Sequence, residues 1–311
     1  MSFTRPIPVP VSAQVLQTIA ARLGVPHARC EPLAAAGAAN AIYAIGESYL
    51  LRVPHQHPMQ ASAVQREVAA VASARTAGVQ TPAIVLVDEA CDLLPVPYAV
   101  YERLDAIPLS ALAPPLTPPP TTWYALGQDL ARLHTQVTAE TNAGRQAAPL
   151  GNPDPRPWLD ELAQRHQAAE GDVAWLESWL RRLWPLTLAA RTTVFCHGDV
   201  NAGNILVDRA TFAYRALIDW GGSGWHDPAW DFVPVTLAAV PGMLEGYRSL
   251  IELPNDAQAE GRILAYHLQL ALWGLRFQPP EPRLANERLA RLQAGVAMFV
   301  EHPRARWLAD L

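Results

Sequence analysis

The sequence predicts an α+β protein in two parts: a small antiparallel sheet carrying a helix over residues 1–105, and a larger, mainly helical part over residues 106–311. Three observations predict it. Apolar pairs and triplets alternate with turn residues between Arg29 and Tyr101, in windows of four to eight. After Leu104, apolar residues recur at helical spacing. A β-rich island at residues 193–220 interrupts those helices and holds the polar residues of chemical interest.

The elements follow in order. Residues 11–23 read as a helix, and residues 41–45, 49–53, 83–87 and 98–102 read as strands joined by short turns, hence antiparallel. An alanine-rich helix over 61–77 is bounded by Pro58 and Gly78. Residues 113–122, with five prolines in ten, are expected to be a stiff surface connection with no helix. A helix over 123–137 carries Leu126, Leu130 and Leu133; residues 151–157 form a proline-rich loop. Further helices are expected over 158–168, 173–190, 257–277 and 287–300, the third with the apolar series Ile263, Tyr266, Leu270 and Trp273. In the island, residues 194–196, 205–207 and 216–218 read as short strands and 197–204 as a polar loop.

The composition narrows the function classes. With 29 acidic and 24 basic residues the net charge is −5, which argues against a nucleic-acid partner held by phosphate contacts. All 24 basic residues are arginine, so chemistry that usually uses lysine must use arginine here. Cys30, Cys91 and Cys196 have no paired or zinc-like spacing and read as reduced thiols. Prolines interrupt the N-terminal apolar run that an export signal needs. The longest apolar stretch, 232–244, is broken by Pro234 and Pro241 and is too short for a bilayer. A cytoplasmic protein with no membrane partner is expected, and monomer and dimer are both compatible with the sequence.

In the island, Asp199, Asn204 and Asp219 stand in the loop and at a strand end. They are hard oxygen donors, which suit magnesium and not zinc. Here the chain resembles a family. His197, Gly198, Asp199 and Asn204 match the HGDxxxxN loop of the aminoglycoside phosphotransferase and choline kinase-like group, small-molecule relatives of the protein kinases. Ile218–Trp220 resembles their magnesium-binding segment, and Asp227–Phe232 their DPAxDF helix start. The ordered set carries the signal: Asn204 lies five positions after Asp199, and Asp219 twenty positions after it.

The resemblance implies a bilobal protein-kinase-like fold, with a nucleotide-binding lobe over 1–105 and a catalytic, acceptor-binding lobe over 106–311. It implies ATP-dependent transfer of the γ-phosphate to a hydroxyl of a small molecule. Asp199 then accepts the hydroxyl proton, and Asn204 and Asp219 hold Mg2+ against the phosphates. His197 becomes an anchor of the loop. The segment AAAGAANAIYAI resembles the nucleotide-binding hairpin, with Gly37 and Asn40 at its turn. Arg52 falls where relatives carry the phosphate-contacting lysine, with Glu67 as its partner. Tyr101 guards the adenine pocket, and the carbonyl of Glu102 and N–H of Leu104 face the purine. Those backbone contacts admit GTP as well as ATP, and ATP is the default.

Several residues carry plainer readings. Asp208 reads as a turn residue, Asp227 as a helix N-cap that also bonds the loop, and Asp231 as balanced between structure and function. His55 and His57 belong to a solvated, proline-bounded loop. Trp220, Trp225, Trp230 and Trp273 are candidate walls of an acceptor pocket, but the last two are expected in the core. Residues 106–311 carry 21 acidic and 17 basic residues, a slight lean toward a cationic acceptor. An aminoglycoside is one acceptor class; choline, homoserine, a methylthio-sugar or a macrolide is another. A kinase-fold regulator without turnover, and a metal-dependent hydrolase built on His197, Asp199, His226 and Asp227, are the rival classes.

Overall fold

The computed structural model describes residues 7–33, 40–56, 63–112, 118–164, 169–190, 192–277 and 282–310. Its first part is helix α1 (Ala13–Arg22) and a sheet of β1 (Cys30–Pro32), β2 (Asn40–Ile45), β3 (Tyr49–Pro54), β4 (Ile84–Asp88) and β5 (Tyr98–Glu102), with α2 (Ala63–Thr76) inserted after β3. The Ser12 hydroxyl accepts from the Val15 N–H at 3.2 Å and caps α1. The order is β1-β2-β3-β5-β4, antiparallel throughout. On β3, Leu51 and Val53 enter a core with Ile19, Ile45, Tyr98 and Val100, so strand alternation turns Arg52 to the other face.

The second part contains β6 (Ile107–Pro108), α3 (Pro120–Gln136), α4 (Asn142–Gln146), α5 (Arg156–Gln164), α6 (Glu170–Ala189), β7 (Val194–Cys196), β8 (Ile205–Val207), β9 (Tyr214–Leu217), β10 (Gly224–His226), α7 (Val240–Arg248), α8 (Ala259–Phe277) and α9 (Pro282–Glu301). β6 pairs with β8 and β8 with β9, while β7 pairs with β10. Helices α3 and α7 cross closely enough that a Cβ on Gly127 would lie 1.9 Å from the Met243 carbonyl oxygen. The fold is therefore the expected bilobal one, a small antiparallel lobe followed by a helical lobe.

Differences from the sequence reading have local causes. Helix α3 begins at Pro120, inside the segment expected to be non-helical, because proline at the first helical position forfeits only an N–H that has no partner there. Helix α5 likewise starts at Arg156, within the expected loop. Helix α7 lies behind Pro241, which again stands in a first turn and does not break the element. Strands β1, β6 and β10 and helix α4 are too short for a periodicity signal. Gly37, His57, Ala61 and Ser62 lie outside the described residues. Cys30, Cys91 and Cys196 are all free thiols. No described helix is long and apolar enough to cross a membrane.

One core residue sets an acid limit. His267 on α8 is buried, with Nε2 3.1 Å from the Phe232 carbonyl, and burial lowers its pKa from 6.5 to about 4. A folded-state pKa below the unfolded value means that the contribution is complete above pH 6.5 and lost as pH falls toward 4. This residue alone accounts for roughly 3 kcal/mol across that window. Urea midpoints measured between pH 7 and 4.5 should therefore fall less steeply in His267→Gln than in the parent; parallel curves would refute the assignment.

Candidate active site

The loop between β7 and β8 is held from below by a buried carboxylate. Asp231, in a 3-10 turn over Pro228–Phe232, is fully buried and accepts the N–H groups of His197 and Gly198, each at 2.8 Å. Its third partner is His134 Nε2 at 3.0 Å, and His134 Nδ1 lies 3.2 Å from the Tyr247 hydroxyl. Burial opposes the Asp231 charge, but His134 and the loop amides outweigh it and hold the carboxyl below its ordinary range. Gly198 has φ +85°, and a Cβ there would lie 2.1 Å from the Gly222 carbonyl oxygen, so glycine is required twice over. The Trp230 indole donates to the Gly198 carbonyl at 3.1 Å.

His197 is buried beneath this loop. Its Nδ1 accepts from the Asp199 N–H at 3.3 Å, so Nε2 bears the proton and donates to the Ile218 carbonyl at 3.1 Å. Burial lowers its pKa and keeps it neutral. The ring packs edge-on against Trp220, whose indole donates to the Thr81 hydroxyl at 3.0 Å.

Above these supports stands Asp199, half-buried and gripped by two amides. Asn201 Nδ2 donates to Oδ1 at 2.8 Å, and Asn204 Nδ2 donates to Oδ2 at 3.0 Å and to the Asp199 carbonyl at 2.9 Å. Both Asn204 hydrogen bonds leave from nitrogen, which leaves Oδ1 as a donor atom for a cation. The β8–β9 register sets Ile205 opposite Leu217, and the Ile218 N–H donates to the Asn204 carbonyl at 3.0 Å, so Asn204 and Asp219 end the hairpin side by side. Asp219 adopts φ 65°, ψ 67°, a left-handed conformation that aspartate tolerates better than most residues. Asn201 has no role in the sequence reading; the second asparagine of the loop was its available signal.

Across the cleft, Arg52 is the centre of a charged cluster. Nη1 pairs with Glu67, and Nη2 donates to Asp219 Oδ1 at 2.7 Å. With its carboxamide oxygen turned to the guanidinium, the orientation that satisfies both groups, Asn40 accepts from Nε at 3.2 Å and Nη2 at 2.9 Å. The Tyr101 hydroxyl joins the same network. Burial works against the Arg52 charge, but Glu67 and Asp219 outweigh it and raise its pKa. Burial also raises the Glu67 carboxyl, against the pull of Arg52, and pushes the Tyr101 phenol up. These residues, with Val64, Ala99 and Gly221, line a cavity of about 210 Å³. At the end of β5, the Glu102 and Arg103 N–H groups donate to Ala83 and Ser48 carbonyls, while the Leu104 N–H has no backbone acceptor among the described residues. A larger cavity, about 440 Å³, is lined by Glu102 and Leu104 and by none of Asp199, Asn204 and Asp219.

Residues 30–277 match the model of the phosphotransferase enzyme family. The chain belongs to this family. It is a small-molecule phosphotransferase, and its fold is shared with solved structures of low sequence identity. The GDP complex of aminoglycoside 2'-phosphotransferase-IIIa aligns at TM-score 0.62 and 16% identity, over 90% of this chain and 96% of that one. A choline/ethanolamine kinase family protein from Mesorhizobium loti aligns at 0.57 and 22%, over 95% and 97%. A macrolide 2'-phosphotransferase from Brachybacterium faecium aligns at 0.53 and 20%, over 90% and 98%. No curated protein sequence matches the chain.

The phosphotransferase departs from the sequence reading at several residues. Arg52 does meet Glu67, but it also reaches Asp219, which the reading assigned wholly to a cation. Asp227 caps Ala229 at 3.0 Å and binds Arg262 at 2.5 Å and Tyr266 at 3.2 Å; the loop contacts assigned to it belong to Asp231. Trp273, expected in the core, is 44% exposed, and Trp220, a candidate pocket wall, is buried. Asp208 is the expected turn residue, accepting from the Ala210 and Thr211 N–H groups. The hydrolase set does not assemble: among the described residues, the metal-type groups that gather are His134, Cys196 and Asp231, all buried, two of them bonded to each other.

Proposed function

We propose that this phosphotransferase moves the γ-phosphate of ATP to a hydroxyl of a small, aminoglycoside-like acceptor, with Asp199 as the catalytic base. The observation that carries the reading is the two-amide grip on Asp199. Asn201 and Asn204 fix its carboxylate next to the Asn204 carboxamide, and backbone pairing brings Asp219 to the same end of the hairpin; in this reading a hydroxyl bound to Asp199 faces phosphate held by Asn204 and Asp219. Asn204 Oδ1 and Asp219 would hold Mg2+, which when bound neutralises charge on the transferring phosphate. Asp199 orients the attacking oxygen and takes its proton as the bond to phosphorus forms and the bond from that phosphorus to the bridging oxygen breaks, releasing ADP. Neutral His197 does not compete for that proton: its one acceptor atom, Nδ1, is taken by the Asp199 N–H, and Nε2 donates to the Ile218 carbonyl. In this reading Arg52, paired with Glu67, contacts the phosphates, Gly37 and Asn40 belong to the phosphate-facing turn, and Tyr101, Glu102 and Leu104 face the purine.

The nucleotide lobe is residues 1–105 and the acceptor lobe residues 106–311. The acidic excess of the second lobe favours a cationic acceptor, and three free thiols accord with action in the cytoplasm. The test is ATP consumption with magnesium against aminoglycosides, macrolides, amino alcohols and sugars. Acceptor-dependent turnover strongest with an aminoglycoside is the expected result. Preference for another class would replace the acceptor assignment, and tight ATP binding without turnover on any acceptor would replace the enzyme by a regulator.

A further inference from the structure

The lysine-free composition leaves a guanidinium where one point charge would suffice, and the two differ in what they can hold at once. Arg52 uses its planar fork on two carboxylates: Nη1 on Glu67, Nη2 on Asp219 Oδ1 at 2.7 Å, with Asn40 fixing the plane from the Nε edge. The pairing with Glu67 is internal to one lobe, whereas that with Asp219 crosses the cleft. Asp219 is the partner that can leave, because its side chain is 44% exposed against 8% for Glu67.

We propose that Arg52 is a placeholder for the divalent cation: it occupies Asp219 while the nucleotide site is vacant and releases it when phosphates arrive. This rests on Asn204 and Asp219 being the cation donors. Phosphate oxygens accept from a guanidinium in the same geometry as a carboxylate, so Nη2 exchanges Asp219 for phosphate while Nη1 stays on Glu67. Asp219 then regains a free carboxylate at the moment a cation has phosphate oxygens to bridge. Cation and nucleotide are thereby coupled, and the coupling is reciprocal. Without nucleotide the cation competes with a positive charge already seated on its ligand.

The experiment is Mn2+ binding to the intact protein, read from the amplitude of the free-Mn2+ electron paramagnetic resonance signal, with and without ADP. The parent protein should bind Mn2+ roughly tenfold more tightly with ADP than without it. Arg52→Lys, which keeps a cation for Glu67 but lacks the fork, should bind Mn2+ several-fold more tightly than the parent when ADP is absent, shrinking the ADP effect. Arg52→Gln, measured in the same way, should do so more strongly and serves if the lysine variant does not fold. An unchanged or weakened nucleotide-free Mn2+ affinity in these variants overturns the placeholder. Asp219→Asn with ADP separates the placeholder from the donor assignment beneath it. If it abolishes the Mn2+ site while the Arg52 variants have no effect, the placeholder alone falls; if it leaves Mn2+ binding unchanged, the donor assignment falls and takes the placeholder with it.

Discussion

Asp199→Asn should lower kcat by roughly 10³-fold, within the range expected for loss of a positioned base, while the KM for ATP stays within about twofold. The split follows from position. Asp199 bonds only to groups of its own loop, Asn201, Asn204 and the His197 ring, and to none of the residues that line the Arg52 cavity. Steady-state kinetics with a saturating acceptor would check it. Retention of more than about a tenth of kcat would remove Asp199 from the base role, and a matching rise in the KM for ATP would move it to nucleotide binding.

Asp231→Ala should be the most damaging single change to the fold. It leaves the buried His197 N–H, the half-buried Gly198 N–H and the buried His134 without their acceptor, for which about 3–5 kcal/mol is the expected cost. For a chain of this size that is on the order of 10 °C in Tm. Thermal unfolding followed by circular dichroism would measure it, and a shift below about 2 °C would show that water or a neighbour satisfies the loop amides. Its pH signature is separate from that of His267. Because the Asp231 pKa is held below its ordinary value of 3.8, its stabilisation is complete above that pH and lost only on further acidification.

What the sequence disclosed and what it hid divide along physical lines. The HGD loop, Asn204 and Asp219 were legible because their chemistry depends on spacing along one short hairpin, where chain distance and spatial distance nearly coincide. The pairing of Arg52 with Glu67 was legible through resemblance alone. Its reach to Asp219 was not, since those residues are 167 positions apart and meet only through the packing of two lobes. Asp227 and Asp231 show the same limit at closer range. Both stand in one short motif, and four residues decide which of them turns toward His197 and which toward Arg262. Proline misled at Pro120, where its effect depends on its place within a turn.

The segment between α2 and β4 has a mechanical consequence. The Gln80 carbonyl accepts from the Leu217 N–H at 2.9 Å, the Gln80 N–H donates to Asp129 at 2.7 Å, and Thr81 accepts from Trp220. The small lobe is thus tied to the large one at residues 80–81 as well as through the chain connection at 102–106. Just before that tie, Ala69, Ala70, Val71 and Ala74 of α2 lie in the core of the large lobe, and the Ala143 N–H donates to the Ser73 hydroxyl at 3.3 Å. The helix that carries Glu67 belongs to the first lobe by sequence and is anchored in the second by packing.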